Sequence, residues 1–272
     1  RLGDRNTQMH HGVWRKSAIG SHEVRGRTLG IVGYGNIGAQ ISVLAEALGL
    51  SVMYYDVADK LPMGNAHRCD SLEELLQSVD VVTVHVDGRA DNTLLFGEQE
   101  FSMMRPRSLF LNLSRGHVVD VAALADNLRT GHLAGAAVDV YPSEPRSGDE
   151  PFVSELQSLD NVILTPHVGG STQEAQIDIG RYVAGKLIDY SERASTSMSV
   201  NLPDITTGAT PGARIGHLHL NMPGIMADLN RLVADHGGNV TYQALATRGE
   251  LGYTVLDIDE TDRELLVDRK SV

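Results

Sequence analysis

Three residues of this sequence could together act on a hydroxy acid: Arg115, Glu144 and His167. A guanidinium offers a planar fork to a carboxylate or carbonyl oxygen, and an imidazole can take a hydroxyl proton and later return it. A carboxylate beside that imidazole would favour its protonated form and fix its orientation. These groups suit hydride chemistry at a hydroxy acid carbon, provided that a hydride acceptor lies nearby.

Each of the three residues also has an ordinary explanation when taken alone. Arg115 could form a surface ion pair, Glu144 could be one charge of an acidic loop, and His167 could be a hydrogen-bonded loop histidine. They follow the fourth, fifth and sixth predicted strands, and this joint placement favours a shared site. The sequence contains no HExxH motif and no pair of cysteines, so we expect no metal.

A glycine-rich motif supplies a candidate site for the hydride acceptor. Gly33-Tyr34-Gly35-Asn36-Ile37-Gly38 follows an apolar strand and begins a helical pattern. Gly33 suits a tight turn, Gly35 lets the backbone approach a pyrophosphate, and Gly38 lets helix and strand pack closely. The motif predicts a dinucleotide at the N-terminus of the helix.

An acidic residue completes this fingerprint. Asp56 lies about 20 residues beyond the glycines, at the end of the second predicted strand, where its carboxylate can accept hydrogen bonds from the adenosine ribose. Asp59 follows with no arginine beside it, so a 2′-phosphate would meet two carboxylates, and we predict NAD rather than NADP. The alternative for Asp56 is a turn or cap residue.

The elements that position these groups form a regular alternation. Short apolar runs alternate with helical patterns, which predicts a doubly wound parallel sheet of the Rossmann type with ligands at the carboxyl ends of its strands. His85 ends the third strand and could line the cofactor cleft. Predicted helix starts are Asp120, Ser71 with Glu74, and Ser171 with Glu174. The predicted strands are 29–32, 51–55, 79–86, 108–113, 133–140 and 162–164.

A second module follows a polar stretch. Residues 191–203 are rich in Ser and Thr and predict a linker, after which the pattern from Arg214 is strand, helix, strand, strand and a helical start at Thr261. This is a small α+β module of the order βαββα that ends before any final strand.

Composition excludes several other classes of protein. The 272 residues include 23 Lys and Arg against 35 Asp and Glu, a formal net charge of −12, which gives no general attraction to nucleic acid or anionic membranes. Cys69 is the only cysteine, so no internal disulfide can form. We therefore expect a reduced, cytoplasmic setting with no nucleic acid or membrane partner.

The long motifs resemble one known family. GIVGYGNIG, NLSRG, HLAGAAVDVYPSEP and LTPHVGGSTQEAQ are similar to the D-isomer-specific 2-hydroxyacid dehydrogenases. HLHLNMPG resembles the start of an ACT domain, which implies a ferredoxin-like α+β module that binds amino acids between subunits. Most similar are members that oxidise 3-phospho-D-glycerate to 3-phosphohydroxypyruvate with NAD, the first step of L-serine synthesis. The resemblance implies a homotetramer with L-serine as a feedback effector.

The resemblance also implies roles for individual residues. Arg115 would bind the substrate carboxylate and carbonyl, His167 would be the acid/base, and Glu144 would be its partner. The effector serine would be held by His219, Asn221 and Asn239, although these residues could instead cap a helix and a turn. The cofactor would be lined by Gly33, Gly35, Asn36, Ile37, Gly38, Asp56, His85, Leu113, Ser114, Asp139, Val168, Gly169 and Gly170.

Several departures from the family pattern affect these expectations. Asp87 stands where the family usually has proline, and most of the N-terminal substrate-binding lobe has no counterpart in the sequence. We therefore expect NAD binding but little turnover from these 272 residues alone. The expected division is 1–25 remnant of the substrate-binding domain and hinge, 26–170 NAD-binding domain, 171–192 return helix, 193–213 linker, and 214–272 ACT regulatory domain without its last strand.

Two other functions stay open at this point. The same chemical groups would serve a reductase of glyoxylate, hydroxypyruvate or 2-oxoglutarate, whose specificity loops would lie in the missing lobe. A non-enzymatic NAD-sensing binding protein is the second alternative, although the joint presence of Arg115, Glu144 and His167 argues against lost catalysis.

Overall fold

The computed structural model describes residues 2–210 and 212–259. The chain divides into two compact units, one up to Gly170 and the other from Ser171. None of the described helices has both the length and the apolar character needed to cross a bilayer.

The first unit is built on a seven-stranded parallel sheet in the order β3-β2-β1-β4-β5-β6-β7. The order reverses between β1 and β4, which is where a doubly wound sheet opens a ligand crevice. The predicted α/β class is confirmed. The strands are β1 Thr28–Val32, β2 Ser51–Tyr55, β3 His67–Arg68, β4 Val81–Val84, β5 Leu109–Asn112, β6 Gly135–Val138 and β7 Val162–Leu164.

Two details of the predicted strands were wrong. The runs predicted over 79–86 and 133–140 pair over only four residues each, so that His85 and Asp139 lie in the loops just beyond β4 and β6. The short strand β3 was missed, because its two residues are exposed and carry no apolar pattern. It is defined by backbone pairing with β2 alone.

Helices pack on both faces of the sheet in this unit. Ser71 accepts a hydrogen bond from the Glu74 amide at 3.1 Å, and Asp120 accepts from the amides of Ala122 and Ala123, so both predicted N-caps are confirmed. The helices are α1 Leu2–His10, α2 Asn36–Ala47, α3 Leu72–Ser78, α4 Glu98–Met103 and α5 Val121–Arg129, with short 3-10 turns at Ala90–Asn92 and Gly116–Val118.

Alternation along β1 sends side chains into two apolar clusters. Leu29 and Ile31 join a cluster that includes the stacked rings of Tyr34 and Tyr54, whereas Val32 joins a larger cluster on the opposite face. Burying a large apolar side chain contributes about 1.5–3 kcal/mol. Both faces of the sheet are therefore anchored, and the loops at its carboxyl edge stand on a rigid base.

The second unit combines a long helix with a small sheet. The sheet is antiparallel in the order β8-β10-β9, which confirms the predicted α+β module. The predicted helical start at Thr261 and the absent final strand concern residues outside the described part of the chain. The elements are α6 Gln173–Arg193, β8 Ala213–Leu220, α7 Ile225–Asp235, β9 Val240–Arg248 and β10 Leu251–Ile258.

The N-cap predicted for α6 was wrong by one residue. Thr172, not Ser171, caps this helix, and its hydroxyl accepts a hydrogen bond from the Ala175 amide at 3.1 Å. Adjacent Ser and Thr residues can both cap a helix, and the Glu174 signal favoured the wrong one of the two.

Part of the stretch predicted to be a linker is packed. Thr196 is buried, donates to the Pro203 carbonyl at 2.6 Å and accepts from the Ile205 amide at 2.9 Å. Ile205 lies against Tyr253 and Val255 of β10. Hydroxyl groups in this stretch form hydrogen bonds with backbone groups, so its polar composition does not make it a flexible linker.

Candidate active site

The glycine loop lies between β1 and α2, and its three glycines have different surroundings. Gly33 has a φ of +92°, and a Cβ there would come within 2.7 Å of the His85 carbonyl oxygen. A Cβ at Gly38 would collide with the Gly33 carbonyl oxygen, whereas one at Gly35 would meet nothing within 4 Å. Gly33 and Gly38 are thus required by the fold, while Gly35 faces open space.

The N-terminus of α2 is open to a ligand. Its N-cap Gly35 provides no side-chain hydrogen bond, and the first turn contains no acidic residue. Gly35, Asn36 and Ile37 are exposed. The first amides of a helix have no intrahelical acceptor, so this end suits a pyrophosphate.

Asp56 follows β2 and holds two backbone groups. Its Oδ2 accepts a hydrogen bond from the Tyr34 amide at 2.7 Å, and its Oδ1 accepts from the Ala58 amide at 2.8 Å. The carboxylate therefore shapes both the glycine loop and the following turn. Its predicted contact with the ribose stays a prediction.

An arginine lies close to the acidic residues on which the NAD prediction was based. Asp59 pairs with Arg68 at 2.7 Å, because β3 places Arg68 beside the end of β2. The sequence showed no arginine next to Asp59, since the two residues are brought together only by the missed strand.

His85 stands next to the glycine loop. Its amide donates to the Val32 carbonyl at 2.7 Å, and its Nε2 lies 2.9 Å from Thr83 Oγ1. Burial lowers the pKa of this imidazole below its usual value. His85 is therefore a neutral wall residue at physiological pH.

The loop after β5 carries Arg115 on a fixed backbone. Asn112 Oδ1 accepts from the amide and the hydroxyl of Ser114, at 3.0 and 2.9 Å, and its Nδ2 donates to the Arg115 carbonyl. Arg115 is exposed, and its Nη1 donates to the Ser114 carbonyl at 2.6 Å. A guanidinium has five donors, so this bond uses only a fraction of them.

Asp139 follows β6 and holds the loop that carries His167. Its Oδ1 accepts from the Thr165 hydroxyl at 2.5 Å and the Val168 amide at 2.9 Å, while its Oδ2 accepts from the Gly169 amide at 2.9 Å. Burial alone would raise the pKa of this carboxyl, but these hydrogen bonds outweigh that effect and lower it. Asp139 is therefore charged and fully engaged.

His167 and Glu144, which the sequence predicts to be an acid/base pair, lie in direct contact. His167 Nδ1 lies 2.9 Å from Glu144 Oε2, and Glu144 Oε1 accepts from the Tyr141 amide at 3.0 Å. Although burial acts to raise the pKa of Glu144, the hydrogen bonds from His167 and Tyr141 hold it below its usual value. The half-exposed ring can present Nε2 to a ligand.

The backbone at His167 is unusual. Its φ of +54° is left-handed, a conformation that costs a non-glycine residue about 1–3 kcal/mol. The Asp139 hydrogen bonds on both sides of His167 hold the chain in this conformation. Such strain is found where a side chain must be aimed in a particular direction.

The remaining predicted cofactor residues differ in accessibility. Ser114 and Asp139 are buried, with their polar atoms bound within the protein. The exposed members are Leu113, Val168, Gly169 and Gly170. We therefore expect cofactor contacts in these loops to come from the exposed residues, whose backbone is held in place by the buried Ser114 and Asp139.

The structure brings some predicted residues into direct contact and not others. His167 contacts Glu144, whereas within the described residues no hydrogen bond or ion pair joins Arg115 to either of them. Sequence reasoning missed two supporting residues, Thr165 and Tyr141. Both lie inside the motifs that carry the family resemblance, so a usable signal was present.

The three candidate effector residues of the second unit are not assembled. His219 and Asn221 lie at the end of β8, opposite Leu251, whereas Asn239 precedes β9, opposite Ile258. Leu251 and Ile258 are the two ends of β10, and at a rise of roughly 3.3 Å per residue they are more than 20 Å apart. His219 Nε2 contacts Thr254 Oγ1 at 2.9 Å, and Asn239 donates to Asp259 at 3.0 Å.

A parallel sheet with a glycine loop at its switch point and a histidine–carboxylate pair on the same edge defines a dinucleotide-binding domain of the dehydrogenase type. Residues 1–169 match the family described as "D-isomer specific 2-hydroxyacid dehydrogenase, NAD binding domain". The chain therefore belongs to the D-isomer-specific 2-hydroxyacid dehydrogenase family. Residues 215–268 match the AHAS small subunit-like ACT domain.

Two curated relatives illustrate the similarity. D-3-phosphoglycerate dehydrogenase of Escherichia coli K12 is 50% identical over 254 residues, covering 93% of this chain and 62% of the relative. The Dictyostelium discoideum protein of the same name is 46% identical, covering 97% and 65%. This chain thus spans less than two thirds of the length of either relative.

Solved structures agree on the fold. D-2-hydroxyisocaproate dehydrogenase superposes with a TM-score of 0.63 at 28% identity, covering 72% of this chain and 62% of that one. A glyoxylate reductase from Paecilomyes thermophila gives a TM-score of 0.62 at 28% identity, covering 74% and 58%. The matched family model describes an NAD-binding domain, so NAD is the cofactor of this domain.

Proposed function

We propose that the protein oxidises 3-phospho-D-glycerate to 3-phosphohydroxypyruvate with NAD. The relatives named D-3-phosphoglycerate dehydrogenase support this substrate. The observation that carries the chemistry is the 2.9 Å contact between His167 Nδ1 and Glu144 Oε2, on the sheet edge that also holds the glycine loop. We place the reaction in a reduced, cytoplasmic setting, which suits the single cysteine.

In this proposal His167 is the acid/base. Its Nε2 accepts the proton of the substrate C2 hydroxyl and returns it in the reverse direction. Glu144 holds the ring through Nδ1 and stabilises the imidazolium that forms. When bound, the nicotinamide supplies the acceptor for the hydride from C2.

Arg115 is the proposed substrate-binding residue. Its guanidinium would bind the substrate carboxylate through paired N–H donors. The bond from Nη1 to the Ser114 carbonyl limits the motion of the side chain, and the Asn112 hydrogen bonds fix the backbone beneath it. Preorganisation of this kind lowers the cost of aligning the substrate with His167.

We propose that the ACT module mediates feedback by L-serine. His219 and Asn221 would come from one copy of the chain and Asn239 from a second, because a single module places them at opposite ends of its sheet. The proposal therefore includes a homo-oligomer, and the family resemblance favours a tetramer.

A turnover assay tests the substrate. The complete protein, with its whole substrate-binding lobe, is incubated with NAD and either 3-phospho-D-glycerate, D-glycerate, D-lactate, D-2-hydroxyglutarate or glycolate, and NADH formation is measured. We expect the phosphorylated acid to give the highest kcat/KM and L-serine to inhibit it. Preference for an unphosphorylated acid would identify a different dehydrogenase, while NADH binding without any turnover would favour an NAD-sensing binding protein.

A further inference from the structure

Three residues of the loop after β4 are tied into a compact cluster. Arg89 donates to Asp87 through both Nε, at 2.8 Å, and Nη2, at 2.6 Å. Asn92 Nδ2 donates to the Asp87 carboxylate at 2.9 Å and to the Asp87 carbonyl at 3.0 Å. The guanidinium is thus fixed by a bidentate pair and is not a freely moving surface cation.

This cluster follows directly on the wall of the glycine loop. The His85 amide bonds to Val32, and the His85 carbonyl packs against Gly33. On the other side of the same loop, the Gly33 amide donates to the Tyr55 carbonyl at 2.9 Å, next to Asp56. The glycine loop therefore lies between Asp56 and the loop that carries Arg89.

Arg89 and Asp56 belong to the two loops that flank the glycine loop. Asp87 chiefly, with smaller contributions from Asp91 and Asp56, raises the pKa of the Arg89 guanidinium. The side chain of Arg89 is 55% exposed, so a ligand can reach it. An accessible cation and the carboxylate that the family fingerprint assigns to the adenosine ribose thus belong to loops on the two sides of the glycine loop.

The hydrogen-bonding capacities of the two groups are complementary. A ribose hydroxyl is both donor and acceptor, and a carboxylate can only accept from it. The bond to Asp87 uses Nε and one Nη2 hydrogen of Arg89, which leaves the Nη1 donors for ribose oxygens or a phosphate. Asp87 at the same time offsets part of the positive charge.

We propose that Arg89 is a cofactor-contacting residue of the adenosine-ribose subsite, where it opposes Asp56 and weakens the discrimination of the site against a 2′-phosphate. This inference rests on the proposed function, in which NAD accepts the hydride. The Asp56 carboxylate repels a 2′-phosphate, whereas Arg89 attracts it. The fixed guanidinium therefore makes the preference for NAD smaller than the acidic residue alone would give.

The test compares dissociation constants of NADH and NADPH, measured by fluorescence titration of the chain. In Arg89→Ala we expect the NADPH/NADH ratio of Kd to rise about three- to tenfold, the size of one charge interaction at a partly exposed site. Asp87→Asn should lower the ratio, since it removes a negative charge and frees donors. The matched control is Arg129→Ala, which removes a similarly exposed arginine paired with Asp126 at 2.7 Å.

The possible outcomes are distinct. A ratio in Arg89→Ala equal to that of the unsubstituted chain or of Arg129→Ala would overturn this inference and leave the proposed function standing. If the unsubstituted chain binds no NADH, the proposed function fails, and this inference fails with it. Arg89→Lys, which keeps the charge but not the fork, should give a ratio between those of the unsubstituted chain and Arg89→Ala.

Discussion

The carboxylate of Asp139 accepts a hydrogen bond from the amide of Gly169 at 2.9 Å. With its bonds to Thr165 and Val168, the same carboxylate holds the chain on both sides of His167. The left-handed backbone of His167 is maintained by this group, which follows a different strand. Asp139 thus acts on the proposed chemistry by positioning His167.

Replacing Asp139 by Asn should therefore impair turnover more than cofactor binding. An amide cannot accept all three hydrogen bonds, because one of its two polar atoms is a donor. In the protein with its complete substrate-binding lobe we expect kcat to fall about 10- to 100-fold, as for a small displacement of reacting groups, with a smaller change in NADH affinity. Asp126→Asn is the control, since Asp126 is an exposed carboxylate paired with Arg129. Unchanged kcat in Asp139→Asn would contradict the positioning role.

The pKa shift of Asp139 adds a pH dependence to this prediction. Its folded pKa is lower than its unfolded value of about 3.9, so its contribution to stability is complete above that value and is lost as the pH falls through the folded pKa. The difference in unfolding free energy between the unsubstituted protein and Asp139→Asn should shrink at acidic pH. Urea unfolding across a pH series measures it, and a constant difference would count against the shift.

Glu144→Gln should disable His167 while leaving it in place. Glutamine has one acceptor oxygen for two donors, the Tyr141 amide and His167 Nδ1. If its NH2 group faces Nδ1, the ring must carry its proton on Nε2 and cannot accept one from substrate. We expect kcat/KM to fall about 100-fold or more, within the range of general acid–base catalysis.

Steady-state kinetics with both substituted and unsubstituted protein checks this effect. The control is Glu150→Gln, in which the charge is lost from a neighbouring residue whose carboxylate accepts only from the Arg146 amide among its described contacts. Equal losses in the two variants would show that the net charge of the loop matters, and that the contact with His167 does not.

Arg115→Lys should separate substrate binding from cofactor binding. An ammonium keeps the charge but cannot form paired bonds to a carboxylate. We expect KM for the hydroxy acid to rise about tenfold, with the Kd of NADH nearly unchanged. Arg105→Lys, at an exposed arginine that pairs with Asp80, is the control. Parallel losses in both constants would remove Arg115 from its proposed role.

Local sequence signals predicted the strands and caps that depend on neighbouring residues. The glycine loop and the N-caps Ser71 and Asp120 could be predicted because each is defined within a few residues. The strand β3 could not, since His67 and Arg68 acquire their conformation by pairing with β2. The pairing of Arg68 with Asp59 was missed for the same reason.

The residue types of the candidate site were also predictable, whereas their contacts were not. Family motifs indicated Glu144 and His167, but the 2.9 Å distance between them depends on how the loops after β6 and β7 pack. Asp139 was predicted as a cofactor residue, and the structure shows its carboxylate occupied by the His167 loop. A carboxylate in a motif does not reveal by itself which donors it will meet.

The contrast between Gly35 and Gly38 predicts two different defects. Alanine at Gly35 meets open space at an ordinary φ of −82°, so Gly35→Ala should fold normally but lose at least about tenfold in NADH affinity, because the methyl group obstructs the pyrophosphate. Gly38→Ala should instead destabilise the protein by about 1–3 kcal/mol through its clash with Gly33. Thermal unfolding and NADH titration of each variant separate the two effects. Normal NADH binding by Gly35→Ala would argue against a cofactor at this loop.

The ion pair between Arg214 and Asp257 supplies a prediction for the second unit. It is bidentate, at 2.6 and 2.7 Å, and its side chains are only 8% and 7% exposed. Arg214 also donates to the exposed carbonyls of Arg193 and Gly208, and its loss would leave the buried Asp257 carboxylate without its partner. Arg214→Met should therefore cost about 3–5 kcal/mol of unfolding free energy.

The double variant Arg214→Met/Asp257→Leu distinguishes the cost of an unpaired charge from the value of the pair. A buried ion pair replaced by apolar residues is often close to neutral, so the double variant should be more stable than Arg214→Met alone. Hydrogen exchange of the β8 and β10 amides reports the stability of this unit separately from the first. If the changes in unfolding free energy of the two single substitutions simply add in the double variant, the unpaired Asp257 charge does not destabilise Arg214→Met. The lost hydrogen bonds to the Arg193 and Gly208 carbonyls would then account for the loss of stability.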